Sequence, residues 1–123
     1  MHEFSISSEI AKTVLDTAQE NKGNRVLSIL LEIGEITLLN GEQVKFWVQE
    51  LFKGSIAEGA EIRIKNVRVR IECESCNYQG SPLIDPKDGV GYLGPLSCPK
   101  CKAFQVKIKK GSGCILKQIR MVR

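Results

Sequence analysis

Four cysteines constrain this chain more than any other feature of its sequence. They form two C-x-x-C pairs, Cys73-Glu74-Ser75-Cys76 and Cys98-Pro99-Lys100-Cys101, separated by 21 residues. A tight turn brings the two sulfurs of such a pair to one side, and two pairs provide the tetrahedral set of four thiolates that suits zinc. Rubredoxin-type iron uses the same ligands, so the donor set alone leaves iron as the alternative metal.

A metal site also accounts for the composition of the segment around these cysteines. Residues 77–97 hold three prolines and four glycines, and a loop of this length is unusual in a compact domain unless something holds it. The segment of about 45 residues has too little apolar surface to fold alone, so bound zinc is expected to replace the missing core. Because protein sulfurs fill all four positions, we predict a structural zinc and not a catalytic one.

The remaining cysteine, Cys114, makes the total odd, which fits a secreted disulfide scaffold poorly. We expect Cys114 to be a small buried apolar residue on the last strand. The first 20 residues lack the basic segment and the continuous apolar segment of a signal peptide. No apolar run approaches the roughly 20 residues of a membrane-spanning helix. We therefore expect a cytoplasmic location with no membrane partner.

Hydrophobic periodicity predicts a helix followed by a strand in the first part of the chain. The helix covers residues 5–22, with Ser5 as its N-cap and Gly23 as the left-handed residue at its end. The strand covers residues 25–34 and alternates as a half-buried strand does. Its inward positions are expected to be Leu27, Ile29, Leu31 and Ile33, and its outward positions Ser28 and Glu32.

A second helix is predicted after Asn40, where Gln43 stands at the capping-box position, and it ends at Gly54. Its apolar face is formed by Val44, Trp47, Val48 and Leu51.

The next predicted strand covers residues 61–72. Its apolar residues move from even-numbered to odd-numbered positions near Lys65-Asn66, where the chain is expected to leave one core and enter another. Strands at 103–110 and 114–122 follow. The pattern predicts one small α/β core in the order helix, strand, helix, strand, insertion, strand, with the four cysteines in the insertion. The expected boundaries are 1–68 plus 112–123 for the first domain and 69–111 for the inserted one.

The N-terminus carries the chain's only histidine, His2, beside the α-amine of Met1. The Met1 amine, the His2 amide nitrogen and His2 Nδ1 can close a five-membered and a six-membered chelate ring on one metal. The Glu3 amide, its carboxylate or a water completes a square. Square-planar, nitrogen-rich coordination is typical of Ni(II) or Cu(II) and not of zinc.

The start Met1-His2-Glu3-Phe4-Ser5-Ile6 resembles the opening of the HypA/HybF proteins, the nickel-insertion accessory proteins of [NiFe] hydrogenase maturation. The stretches 31–36 (LEIGEI) and 54–59 (GSIAEG) and the paired cysteines resemble the same family. The resemblance covers essentially the whole chain, and the long linker between the cysteine pairs is similar to that of archaeal members.

The resemblance implies an α+β fold in which two helices pack on a small three-stranded mixed sheet to form the nickel-binding domain, with an inserted four-cysteine, zinc-ribbon-like domain. It implies that His2 is the essential nickel ligand, with Met1 and Glu3 contributing through terminal and backbone nitrogens. It also implies delivery of Ni(II) to the large-subunit precursor of [NiFe] hydrogenase together with the HypB GTPase, and some members also serve urease.

The net charge of +4, with basic residues concentrated in 63–70 and 107–123, raises the alternative of a zinc-ribbon module that binds nucleic acid. Few aromatic residues lie near these cations, which disfavours stacking on single strands, and such a module leaves Met1-His2-Glu3 unexplained. We therefore expect no nucleic-acid partner.

An enzyme is disfavoured as well, because the chain has one histidine, no open zinc position and no nucleophile motif. Three acids, Glu35, Glu42 and Glu50, are candidates for supporting the metal or a partner surface, although such residues are more often simply solvated.

Overall fold

The computed structural model describes residues 2–83 and 96–123, with only the backbone of His2. Two sheets are present in this part of the chain, with strand orders β2-β1-β6 and β4-β3-β5. The elements are α1 (His2–Glu20), β1 (Arg25–Gly34), a 3-10 turn (Glu35–Thr37), α2 (Gly41–Phe52), β2 (Glu61–Val67), β3 (Arg70–Cys73), β4 (Gln79–Gly80), β5 (Val106–Lys110) and β6 (Cys114–Val122). The predicted α+β fold, with two helices, a small mixed three-stranded sheet and a four-cysteine cluster, is confirmed. Neither helix in the described ranges is long and apolar enough to cross a bilayer.

The chain forms two compact units. The first unit comprises residues 1–32, 39–65 and 114–123, and the second comprises residues 33–38 and 66–113. Residues 33–38 thus cluster with the cysteine-bearing unit, whereas the sequence led us to expect them in the other. One reason lies in Glu35, whose Oε2 accepts a hydrogen bond from the Val69 N–H at 3.1 Å within the second unit.

The two helices pack against each other in the first unit. Ser7, fully buried, donates from its hydroxyl to the Val44 carbonyl at 3.2 Å and so satisfies a polar group inside this contact. The apolar positions of α2 were predicted correctly for Val44 and Val48, and Phe52 joins them in the interior, while Trp47 and Leu51 are half-buried. The buried apolar positions of α1 are Ile10, Ala11, Val14 and Ala18.

Both predicted ends of α1 were wrong. The helix already includes His2, so Ser5 is an exposed helical residue and not an N-cap. At the other end Lys22 (φ 56°) takes the left-handed conformation, and the Lys22 and Gly23 N–H groups bond to Gln19 O at 3.1 Å and Ala18 O at 2.7 Å. This is a Schellman ending. A Cβ at Gly23 would lie 2.8 Å from Met121 Sδ and 3.3 Å from Ala18 O, so a side chain there would require the Met121 side chain to shift.

The predicted facing of β1 was wrong in its first half. Val26 and Ser28 are buried there, and Leu27 is 43% exposed. Burial then moves to the odd-numbered residues Ile29 and Leu31. A single uninterrupted alternation was assumed, whereas the buried parity shifts by one residue within the strand, which exchanges the buried face.

The expected interruption after residue 61 is present. The chain forms β2 and then β3, which belong to different sheets, and the break falls at Arg68-Val69, a few residues later than the parity change suggested. Ile62 is buried on β2, and Val69 and Ile71 are buried beyond the break.

The strand predicted at 103–110 begins only at Val106. The sequence alternates here between apolar and polar residues, with Phe104, Val106 and Ile108 apolar. Phe104 is 67% and Ile108 43% exposed, so among the described residues this apolar face is not buried.

Candidate metal centre

The first cysteine pair lies on a tight turn that follows β3. Cys73, the last residue of that strand, donates its N–H to Tyr78 O at 2.8 Å, and its carbonyl accepts from the Asn77 N–H at 3.0 Å. Asn77 has a left-handed backbone (φ 63°), a conformation that asparagine adopts more readily than most residues. These bonds fold residues 73–78 back on themselves, so that Cys73 and Cys76 face the same point.

The second pair repeats this turn. The Cys98 N–H donates to Ala103 O at 2.9 Å, and the Lys102 N–H donates to Cys98 O at 2.8 Å. Lys102 (φ 66°) stands four residues after the first cysteine, as Asn77 does in the other turn. The two C-x-x-C sequences therefore specify the same backbone geometry twice.

The four sulfurs converge on one point. Sγ of Cys73 lies 3.6 Å from Sγ of Cys101, Sγ of Cys76 lies 3.6 Å from Sγ of Cys98, and all four lie within 4.8 Å of one another. A tetrahedron with metal–sulfur bonds of 2.3 Å has edges of about 3.8 Å, whereas a disulfide needs about 2.0 Å. The donor set therefore fits one four-coordinate metal ion.

Local hydrogen bonds favour thiolates at the first cysteine of each pair. Burial opposes ionisation of Cys98, but the N–H groups of Cys101 and Lys100, 3.5 and 3.4 Å from its sulfur, lower its pKa to about 7. The Cys76 N–H lowers the pKa of Cys73 in the same way. Such N–H groups stabilise negative charge on sulfur, which is the form that binds metal.

The small sheet around β3 holds the first pair in place. Cys73 pairs with Val106 and Ile71 with Ile108 across to β5, and β4 pairs on the other side of β3. Two ion pairs span the β3–β5 side, Lys109 to Glu72 at 3.0 Å and Lys107 to Glu74 at 3.8 Å. Cys114 begins β6 and lies outside the cluster, half-buried, where burial raises its pKa.

The predicted nickel ligands stand at the start of α1. Met1 lies outside the described residues, and His2 is described only as the first residue of the helix. Glu3 is described in full, and its Oε2 accepts a hydrogen bond from the Asn40 N–H at 3.4 Å. The roles of Met1, His2 and Glu3 as nickel ligands stay a prediction.

Asn40 joins the starts of both helices. Its side-chain oxygen accepts from the Glu42 and Gln43 N–H groups at 3.0 and 3.2 Å, so the predicted N-cap of α2 is confirmed. The capping-box prediction gave the backbone N–H of Asn40 to the Gln43 side chain. That N–H bonds instead to Glu3, which is 37 residues away in sequence and gives no local signal of this contact.

Aromatic side chains adjoin this helix pair. Phe4 meets Trp47 edge-on with ring centroids 5.0 Å apart, and Phe46 meets the same indole at 5.1 Å. Edge-to-face pairs at this distance are favourable, so Phe4 fastens the first turn of α1 to α2. Sequence periodicity assigned Trp47 to the apolar face but gave no indication of these partners.

The three additional acids have ordinary contacts. Glu35 binds the Val69 N–H, Glu50 pairs with Lys53 at 3.0 Å, and Glu42 lies in the first turn of α2. Another acid, Glu58, accepts from the Gly54 N–H at 3.1 Å and closes the turn of residues 54–59. Within the described part of the chain these contacts are structural.

Comparison with known proteins identifies the family. A family model described as "Hydrogenase/urease nickel incorporation, metallochaperone, hypA" matches residues 1–121. The chain belongs to the HypA family. Two archaeal relatives, both named hydrogenase maturation factor HypA, support this. The protein of Methanothermobacter thermautotrophicus is 38% identical over 98% of this chain and 97% of its own length. That of Methanopyrus kandleri is 36% identical over 98% and 93%.

Solved HypA structures share the fold. The solution structure of the Ni metallochaperone HypA from Helicobacter pylori has a TM-score of 0.69 and 21% identity, over 98% of this chain and 97% of that one. A second HypA solution structure has a TM-score of 0.72, also at 21% identity, over 99% and 97%. The resemblance inferred from Met1–Ile6 and the cysteine pairs is thereby confirmed at the level of the family.

Proposed function

We propose that this chain is a nickel metallochaperone and not an enzyme. It binds Ni(II) through Met1, His2 and Glu3 and delivers the ion to the large-subunit precursor of [NiFe] hydrogenase, with the HypB GTPase as partner, in the cytoplasm. The observation that carries the proposal is the family match, which extends over residues 1–121 and so includes the N-terminal residues themselves.

The start of α1 suits metal binding by backbone nitrogens. The first four N–H groups of a helix have no intrahelical acceptor, so in a helix that starts at His2 the His2 and Glu3 amides are not used by the helix. A metal that displaces their protons therefore breaks no helical hydrogen bond. The Glu3 contact to Asn40 and the Phe4 contact to Trp47 hold this turn, which lowers the entropy lost when the metal binds.

Delivery limits how tightly nickel can be held. The acceptor must bind nickel with a more favourable free energy than this chain does, and each 1.4 kcal/mol is about tenfold in affinity. We therefore expect this chain to bind nickel no more tightly than about micromolar. A chelate made mostly by one terminal tripeptide is also open to a second protein, which can replace its ligands one at a time.

For the four-cysteine site we propose zinc in a structural role. Four sulfurs at tetrahedral spacing fill every coordination position, which leaves none for substrate or water. Metal analysis of purified protein separates zinc from iron, since ferric iron in four thiolates absorbs visible light and zinc does not. We expect one zinc per chain and no visible band.

The nucleic-acid alternative loses support from the charges of the second unit. Lys107 and Lys109 of β5 are paired with Glu74 and Glu72, so they offer less net positive charge to a phosphate backbone. Family membership favours the metallochaperone as well.

A transfer assay tests delivery. The untagged protein is loaded with Ni(II), mixed with metal-free hydrogenase large-subunit precursor with and without the HypB GTPase, separated, and each fraction analysed for nickel. We expect nickel in the precursor fraction when this protein carries it, and none when a His2→Ala variant is taken through the same loading. Equal transfer by the variant contradicts the proposal.

A further inference from the structure

The first unit has an open sheet edge that nickel and zinc binding do not use. β6 is the terminal strand of the sheet β2-β1-β6, and at nine residues it is a long edge strand. Ile115 and Val122 on it are 55% and 46% exposed. A strand in this position pairs with a neighbour on one side only, so part of its backbone N–H and C=O groups is left for another strand.

A groove runs along β6. The groove is lined by residues 116–123 together with Leu27 of β1, Thr13 and Thr17 of α1, and Asn21 just beyond that helix. Its volume of about 1160 Å³ exceeds the roughly 300–1,000 Å³ of ordinary small-molecule pockets. The groove is open, and its α1 side consists of short polar side chains. Its size and its strand edge fit an extended peptide better than a compact ligand.

The charged side chains that line this groove are all cationic. Its lining includes Lys117, Arg120 and Arg123 and no acidic residue. Among the described residues, no carboxylate lies within 4.0 Å of these three cationic groups. Arg120 does help to lower the pKa of Glu61, but Arg63, which bonds to Glu61 at 3.0 Å, is the main cause.

We infer that β6 and its groove bind an acidic, extended segment of a partner protein, which adds to the sheet as a further strand. Backbone hydrogen bonds to β6 provide affinity, and carboxylates opposite Lys117, Arg120 and Arg123 provide selectivity. Glu3, the one proposed nickel ligand whose side chain is described, does not line this groove, so failure of this inference leaves the nickel proposal untouched.

Two other occupants fit less well. A second copy of the chain would place one cationic β6 against another, and like charges on paired strands are destabilising. Single-stranded nucleic acid usually stacks its bases on aromatic side chains, and no aromatic residue lines this groove.

The test uses the full-length, zinc-loaded protein and a fluorescein-labelled nonapeptide of alternating glutamate and valine, matched in length to β6. Fluorescence anisotropy measures binding, and hydrogen exchange measures amide protection along residues 114–122. We expect saturable 1:1 binding with gained protection in β6. Absence of saturable binding overturns the inference.

Three further probes separate strand addition from simple charge attraction and from nucleic-acid binding. The same peptide with alternate amides N-methylated, a lysine–valine peptide and oligothymidine should each bind much more weakly. Equal binding by the N-methylated peptide, or equal or tighter binding by oligothymidine, contradicts the inference.

Variants locate the site. The double variant Lys117→Gln, Arg120→Gln should bind the acidic peptide about tenfold more weakly, because two charge contacts are lost. The matched control, Lys45→Gln with Lys65→Gln, makes the same charge change outside the groove lining and should leave the affinity within about twofold. An equal loss in both double variants shows general attraction to a cationic protein and overturns the assignment to β6.

Discussion

At the scale of single residues, Glu3 and Asn40 connect the candidate nickel site with the fold. Asn40 caps α2 with its side chain and bonds to the Glu3 carboxylate with its backbone N–H. Glu3 thereby holds the first turn of α1 beside the start of α2. The residue next to His2 has a structural contact as well as its proposed contribution to nickel binding.

The cap makes Asn40 important for stability. Asn40→Ala removes the acceptor of the Glu42 and Gln43 N–H groups, and we expect it to lower the free energy of unfolding by about 1 kcal/mol. Asn24→Ala is the control, because Asn24 is exposed and its backbone N–H keeps its bond to Val122 O. Urea unfolding followed by circular dichroism measures both, and equal effects would show that the cap contributes nothing.

The chemistry proposed for Met1 and His2 predicts a steep pH dependence. The terminal amine, with a reference pKa of about 7.7–8.0, and at least one backbone amide must lose protons when nickel binds. Protons therefore compete with the metal, and affinity falls as the pH falls. We expect at least a tenfold loss in nickel affinity between about pH 8 and pH 7. Competition titrations at several pH values check this, and a flat profile argues against amide and amine ligands.

At the scale of elements, the cysteine turns and the helix ends differ in how well the sequence predicted them. The two C-x-x-C turns and the Asn40 cap depend on residues within six positions of one another, and the sequence predicted them correctly. The Glu3 contact to Asn40 and the close approach of Met121 to Gly23 depend on residues far apart in the chain. Local patterns carry no information about such contacts. At the end of α1, residue preferences favoured Gly23 for the left-handed conformation, which Lys22 adopts instead.

The last residue of β1, Gly34, also depends on a residue far away in the chain. A Cβ on Gly34 would clash with the backbone carbonyl of Gly111, which cannot move aside on its own. Gly34→Ala should therefore destabilise the protein by about 1–3 kcal/mol or more.

The control for this substitution is Gly113→Ala, because a Cβ there meets nothing within 4 Å. It should change stability by no more than about 0.5 kcal/mol. Urea unfolding of both variants measures the difference, and a neutral Gly34→Ala would contradict the close approach of the two backbones.

At the scale of the whole molecule, two units are stabilised by different means. The first unit has a core of apolar side chains from α1, α2, β1 and β2. In the described part of the second unit, the buried apolar side chains besides cysteine are few, namely Ile33, Val69 and Ile71. We therefore expect a metal bound at the four cysteines to supply much of the stability of the second unit.

Removing one metal ligand should therefore unfold one unit and spare the other. Cys73→Ser should abolish zinc binding and collapse the amide dispersion of residues 66–113 in NMR spectra, while the helical signals of α1 and α2 persist. Cys114→Ser, which removes the cysteine outside the cluster, should leave both zinc content and dispersion unchanged. Full dispersion in a zinc-free Cys73→Ser protein would show that the metal is dispensable.

The central claim is that nickel binds at Met1-His2-Glu3, and a nickel titration of the untagged, zinc-loaded protein tests it most directly. Absorbance should report one Ni(II) per chain with an affinity of about micromolar order. His2→Ala should bind none while its zinc content and circular dichroism stay unchanged, and an added N-terminal tag should have the same effect. One equivalent of nickel bound by the His2→Ala protein with unchanged affinity would contradict the account.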